Sequence, residues 1–341
     1  MNTLILGGTR NLGPVLVSEL LRGGHGVTVL NRGATPDDLP AEVRRLRADR
    51  GDPDALAQAL GRDSFDLVVD TTLYNGPDAR TIVSLLDGRV GRYVFLSSGQ
   101  VYLVRGDLPR PFAEEAYEGP VMPPPSNGTH DYEEWRYGAE KRDAEDVLFE
   151  AWRVRRFPFT TLRLPMVNSE RDHYHRIAGY LARLRDGGPI LVPSGPHLAL
   201  RHVYGGDVAR AVMALTGTES GKGRAYNVAQ DETVSVDEFL ALLAELAGCA
   251  LRLHRVERAT LAEHGLLPEC SPFSETWMSE LDNRRGKTEL GLRYTPLRDY
   301  LAALVAYHER SRPPRPDGYR RRDEELRLAA TSPAPGNMRH A

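Results

Sequence analysis

Residues 4–13 read LILGGTRNLG. Three apolar residues run into a pair of glycines, Gly7 and Gly8, and a third glycine follows at position 13. A strand, a glycine-rich turn and a helix in this order let backbone N–H groups approach a pyrophosphate, which the helix N-terminus then stabilises. Arg10 stands where the middle glycine of that fingerprint belongs. The stretch is either a dinucleotide turn with an altered phosphate grip or a tight connection with nothing bound. On the first reading Gly7, Gly8, Thr9, Arg10, Asn11, Leu12 and Gly13 form the cofactor turn.

A second check lies about 20 residues further on, where a carboxylate would hold the adenosine ribose of NAD. The next apolar run ends VTVLNRG, so Asn31 and Arg32 occupy that place. An arginine there can meet the 2′-phosphate of NADP through charge-assisted bonds, where a carboxylate would repel it. Arg10 can join it. The expected cofactor is NADP(H) in preference, with NAD(H) possible; the bland alternative leaves both arginines facing solvent.

Outward from the turn, strand-like and helix-like stretches alternate. Residues 4–6, 27–30, 67–69, 93–96 and 159–164 are short runs rich in Val, Leu and Ile, as in a buried parallel sheet. Helical patterns cover 14–21, 53–60, 78–86 and the region around 137–149. Such alternation implies an α/β fold with a doubly wound parallel sheet and right-handed crossovers. Later helices are expected at 176–184, 236–246 and 300–307; Ser235 and Glu238 have the spacing of a capping box. EGPVMPPPSNGT, residues 118–129, is a Pro/Gly/Ser-rich loop of the kind that borders sites. The last ten or so residues read as disordered.

A chain of 341 residues, 41% hydrophobic and 27% charged, has the composition of an ordinary globular protein with a substantial core. Its net charge of -3 gives no basic footprint for nucleic acid. Two cysteines, Cys249 and Cys270, lack C-x-x-C spacing, which fits a reducing cytoplasm and no thiolate metal site. The N-terminal apolar stretch stops at Gly7, too short for a signal peptide, and no run approaches the ~18 apolar residues of a membrane helix. A cytoplasmic protein with a small-molecule substrate is expected, without nucleic-acid or membrane partners.

Chemistry enters at WRYGAEKRDAE, where Tyr137 and Lys141 stand four apart on one helix face. A free tyrosine, with a pKa of about 10, is a poor acid or base near neutrality. A fixed ammonium nearby favours the phenolate and lowers that value. Upstream, RYVFLSSGQVY delivers Ser97 and Ser98 at the C-terminal end of a strand, where doubly wound folds place their sites. Taken singly, a Tyr-x-x-x-Lys is a surface helix and a serine there is a strand cap.

Together these pieces resemble the extended short-chain dehydrogenases/reductases, the NAD-dependent epimerase/dehydratase group, over roughly residues 2 to 310. The resemblance is carried by LGGTRNLG, LSSGQVY, YGAEKRDAE with Glu145, LRLPMV, YNVAQDETVSVDEFLALLAELAG and DNRRGKTELGLRYTPL. GGTRNLG is similar to the atypical branch of that superfamily. The resemblance implies a Rossmann domain over 1–165 and 199–230, a smaller C-terminal α/β substrate domain over 166–198 and 231–310, an extension over 311–341, and a homodimer. It also implies a catalytic set: Tyr137 as the acid/base, Lys141 holding the nicotinamide ribose and tuning Tyr137, and Ser98 orienting the substrate oxygen. Asp49 matches the adenine contact, Thr71 and Thr72 line the path to the nicotinamide, and Pro165 and Val167 match the segment at the carboxamide end.

Two departures bear on the substrate. Sugar-nucleotide members of the family carry an Arg-Asp-Phe stretch before a Tyr/His-Val-Asp-Asp run, whereas this chain has ALRHVYGGDVA, with Arg201 out of register and Gly206 replacing the first Asp. That counts against a nucleotide-sugar substrate. In ERDHYHRIAGY, Arg171, His173, Tyr174, His175 and Arg176 can rim a pocket or form an exposed surface. His173 and His175, two apart, do not share a helix face, so no metal site is expected. Arg171, Arg176 and Arg201 together suggest an anionic or hydroxylated substrate. Three functions compete: an NAD(P)-dependent enzyme acting at a carbinol or carbonyl carbon, a non-catalytic cofactor sensor, and an RNA-binding protein on the same scaffold. Ser98, Tyr137 and Lys141 favour the first.

Overall fold

The computed structural model describes residues 1–313 and 315–331, so the expectation of a disordered tail lies outside the described residues. Its strands, in chain order, are β1 (Asn2–Leu6), β2 (Gly26–Asn31), β3 (Arg44–Arg47), β4 (Phe65–Asp70), β5 (Val90–Ser98) and β6 (Phe159–Leu164). Then come β7 (Val167–Asn168), β8 (Ile190–Pro193), β9 (Val203–Tyr204), β10 (Arg224–Asn227) and β11 (Leu253–Val256). The helices begin with α1 (Leu12–Arg22), α2 (Pro53–Leu60), α3 (Gly76–Leu86), α4 (Gln100–Leu103), α5 (His130–Arg155) and α6 (Arg176–Asp186). They continue with α7 (Gly205–Ala214), α8 (Val236–Leu246), α9 (Arg258–Glu263), α10 (Arg284–Leu290), α11 (Leu297–Ser311) and α12 (Arg322–Thr331).

The first of two units holds Met1–Arg171, Arg201–Asp231 and Ser279–Tyr294. Its sheet has seven strands in the order β10-β6-β5-β4-β1-β2-β3, every neighbouring pair parallel. This is the doubly wound Rossmann arrangement, and its order reverses at β1 and β4, where the C-terminal strand ends open a crevice. Alternate residues serve opposite faces: Ile5, Val29, Val69 and Val94 join Leu16, Leu20 and Val212 in one core. Leu4, Leu30, Val68 and Phe95 join Leu56, Ile82 and Leu148 in the other. Burial on both faces is why these strands read as continuous apolar runs.

Residues 279–294 belong to this unit, although the sequence reading carried 231–310 into the other. The physical reason is a set of long-range bonds. Asp282 N–H donates to the Phe112 carbonyl (2.9 Å), Asn283 Nδ2 to the Ala229 carbonyl (2.8 Å), and the Tyr226 hydroxyl to Glu289 Oε2 (2.8 Å).

The second unit takes Asp172–Leu200, Glu232–Met278 and the described residues from Thr295 onward. It holds the parallel pair β8 and β11, with α6, α8 and α11 packed on one another. The Ser235–Glu238 capping box forms at the start of α8. The chain beyond 311 includes an ordered helix: α12 is fixed by Leu328 in an apolar cluster and by a buried ion pair between Glu325 and Arg183. Among the described residues, no helix is long and apolar enough to cross a membrane.

Candidate active site

The parallel sheet brings the ends of β1, β4 and β5 to one edge, and the candidate residues gather there. Gly7 lies at φ +101°, and a Cβ on it would stand 2.2 Å from Thr71 Oγ1. A Cβ on Gly13 would stand 2.3 Å from the Gly8 carbonyl carbon. The turn therefore closes on α1 and on β4 without room for side chains, the cradle that a pyrophosphate needs. Leu12 opens α1 and is buried. Asn11, at φ 49°, does not cap the helix; its Oδ1 accepts from Ser169 Oγ (3.0 Å), tying the turn to the chain after β7. Thr71 donates through N and Oγ1 to the Leu6 carbonyl (3.1 and 2.9 Å), and Thr72 N–H donates to Asp70 Oδ1 (2.9 Å).

At the end of β2, Asn31 is committed to its own backbone surroundings. Its Nδ2 donates to the Gly7 carbonyl (3.1 Å), while its Oδ1 accepts from Gly33 N–H (2.9 Å) and from Arg47. Arg10 is exposed, and its Nε donates to Thr35 Oγ1 (3.0 Å) in the loop after β2. Arg32 is exposed, with its nearest carboxylate, Asp49, at 4.0 Å. Asp49 also accepts from Gly51 N–H (3.0 Å). Arg47, on β3, was not singled out from sequence; its charge in RRLR marks an edge strand as readily as a site, and its bond to Asn31 and its pair with Asp37 (3.6 Å) bring it here.

Arg171 also comes to this end. It forms a bidentate pair with Asp38 in the loop after β2 (2.6 and 2.5 Å). Arg201 Nε donates to the Gln230 carbonyl (2.9 Å). Arg176, in the second unit, pairs with Asp172 (3.4 Å) and lies over the Tyr174 ring. The three arginines thus have separate protein partners. Pro165 is buried between β6 and β7, and Val167 pairs with Val203 of β9.

Ser98 ends β5, and its Oγ accepts from Gln100 N–H (3.2 Å). Gln100 Nε2 donates to Glu134 (2.5 Å), one turn before Tyr137 on α5. Glu134 was missed from sequence, though its spacing from Tyr137 carried the signal. Tyr137 is half-buried, its ring 6.3 Å from that of Tyr74. Lys141 is buried, with Nζ 5.7 Å from the Tyr137 ring centroid. Burial pushes its pKa down to about 7. Behind this group, Glu145 accepts from Ser97 Oγ (2.6 Å) and from Arg163 (2.7 Å), anchoring α5 to β5 and β6. The arrangement offers a phenol beside an ammonium, a serine hydroxyl at a strand end and a glycine cradle at the same sheet edge.

Comparison with known proteins adds three findings. The model of the NAD dependent epimerase/dehydratase family matches residues 3–229. Two curated relatives are each 26% identical: the chloroplast stem-loop binding protein of 41 kDa b of Arabidopsis thaliana over 262 residues, 72% of this chain and 63% of that one, and the 2'-dehydrokanamycin reductase of Streptomyces kanamyceticus over 227 residues, 65% and 60%. The chain spans about three fifths of the length of these relatives. A dTDP-glucose 4,6-dehydratase from Bacillus anthracis, solved in complex with NAD, has a similar fold, with TM-score 0.72 at 14% identity over 91% of this chain and 97% of that one.

Proposed function

Because the chain belongs to the NAD dependent epimerase/dehydratase family, we propose that it is an NAD(P)-dependent enzyme acting at a carbinol or carbonyl carbon of a small, polar, sugar-like substrate. The observation that carries this reading is the gathering of Ser98, Tyr137 and Lys141 beside the strand ends that bear the glycine cradle. A sensor of cofactor would have little need of that set. The residues present fit a dinucleotide, since Gly7 and Gly13 pack too closely for any side chain, as the tight turn and close helix packing of a dinucleotide fingerprint require.

When bound, the nicotinamide supplies or takes the hydride. Tyr137 gives a proton from its hydroxyl to the carbonyl oxygen during reduction and takes it back during oxidation. Lys141 places its ammonium beside that ring and favours the phenolate. Ser98 Oγ holds the reacting oxygen against Tyr137. The name of the Streptomyces relative supports reduction as the direction.

The cofactor reading is NADP(H). It is supported by Asn31, whose side chain is occupied and carries no charge, and by Arg10, Arg32 and Arg47 around the end of β2. The free thiols of Cys249 and Cys270 support a cytoplasmic location. The name of the Arabidopsis relative supports a second reading, stem-loop binding. A net charge of -3 counts against it. The deciding experiment measures NADPH oxidation with a panel of keto sugars, alongside a mobility shift with a stem-loop RNA at physiological salt. Turnover lost in Tyr137→Phe supports the enzyme; a shift with no turnover supports the other reading.

A further inference from the structure

Lys141 lies in an unusual place for an ammonium. It is 3% exposed, and its Nζ donates to the Leu73 carbonyl (2.6 Å) and the Leu96 carbonyl (3.3 Å). The rings of Tyr74 and Phe95 lie 4.7 and 4.8 Å from it, with Tyr137 beyond. Neutral carbonyls and rings only partly replace water around a charge, so this pocket by itself favours the uncharged amine.

Close by is a second buried polar group that the proposed chemistry does not use. Asp70, the last residue of β4, is fully buried and accepts from Arg50, from the Tyr93 hydroxyl (2.5 Å) and from Thr72 N–H (2.9 Å). The bond to Thr72 folds the chain directly after the strand. That fold sets Thr71 against Gly7 and delivers the Leu73 carbonyl to Lys141. One carboxylate thus shapes both the wall of the glycine cradle and the acceptor of the ammonium.

We propose that Asp70 and Arg50 are positioning residues for Lys141: Asp70 builds the 70–73 turn that receives the ammonium, and the two opposite charges of the buried pair act on it in opposite directions. The inference rests on the reading of Lys141 as the partner of Tyr137. The charged groups that act on Lys141 are Asp70 at the end of β4, Arg50 before α2 and Glu145 on its own helix, and the titratable rings beside it are Tyr74 and Tyr137. Asp70 and Glu145 favour its ammonium; Arg50 and burial oppose it. Glu145 is held by Arg163 and Ser97 behind the site, whereas Asp70 is tied through Thr72 to the turn that carries the Leu73 carbonyl.

The chain allows a direct test, because it has only three lysines, Lys141, Lys222 and Lys287. Lysine labelled with carbon-13 at Cε gives three signals whose titrations can be followed in the whole protein, with Lys141 assigned by its loss in Lys141→Arg. In the wild type the Lys141 signal is expected to titrate near neutrality. Asp70→Asn should move that midpoint to lower pH and Arg50→Met to higher pH, each by about half a unit or more. Tyr93→Phe, which leaves both charges in place, should not move it.

A purely structural pair would disturb both variants in the same sense. Midpoints that move together or do not move, or a wild-type Lys141 titrating at the ordinary lysine value, overturn the proposal. Should Asp70→Asn fail to fold, Arg50→Met decides: a raised midpoint supports the proposal, and an unchanged or lowered one refutes it. The readout needs neither substrate nor cofactor. If NADPH does not bind while the midpoints behave as expected, the functional reading fails and the charge coupling stands; the converse refutes the coupling alone.

Discussion

Gly138 lies directly against Gln100: a Cβ at 138 would stand 2.7 Å from the Gln100 carbonyl oxygen and 2.6 Å from Val104 Cγ1. This contact lets α5 touch α4 and carries Tyr137 to the chain that follows Ser98. An alanine in a helix interior ordinarily gains up to about 1 kcal/mol over glycine. Here the added carbon meets backbone, and overpacking costs about 1–3 kcal/mol. Gly138→Ala is expected to lower the thermal midpoint and to reduce turnover more than it weakens cofactor binding. An unchanged or raised midpoint in calorimetry would remove the close approach from the account.

Tyr137→Phe keeps the ring against Tyr74 and removes only the hydroxyl. Loss of a general acid/base should cost about 10²–10⁴-fold in kcat. The affinity for NADPH, measured by fluorescence titration, should stay within about twofold.

The pair Glu145–Arg163 is buried on both sides, with a second acceptor for the arginine in the Tyr102 hydroxyl (2.8 Å). Removing one partner strands a charge in the core. Arg163→Met is expected to lose about 3–5 kcal/mol in urea unfolding. A double variant, Arg163→Met with Glu145→Leu, should recover much of that loss, because no unpaired charge remains.

At the end of β2 the expected effects depend on the cofactor. Arg32→Ala and Arg47→Ala should each weaken NADPH by about 10-fold or more, the worth of one charge-assisted bond. NADH, which lacks the 2′-phosphate, should be nearly indifferent to Arg32→Ala. Arg47 also holds Asn31, so its loss should weaken NADH slightly through the Gly7 turn.

The glycine turn, the parallel sheet and the helix at 236–246 were legible because each has a local signature: glycines between strand and helix, apolar runs and a capping box. β3 was not, since an edge strand reading RRLR has no apolar run to show. Helix α5 begins seven residues before Tyr137 and continues to Arg155; its buried face carries Lys141, Arg142 and Glu145, so no apolar period marks its length. The pairing of Arg171 with Asp38 was not legible, because the two lie 133 residues apart in sequence. The same distance problem hid Arg50 and Asp70, whose pairing exists only once the end of β4 and the residues before α2 are side by side. Charge is visible in a sequence; the partner that commits it is not.

The most direct measurement is a calorimetric titration of the whole chain with NADPH and then NADH, repeated on Arg32→Ala. Both are expected to bind the wild type, NADPH the tighter, with most of that difference lost in the variant. If neither binds, LILGGTRNLG is a turn without a ligand; if NADH binds the more tightly, the arginines at the end of β2 do not grip a 2′-phosphate.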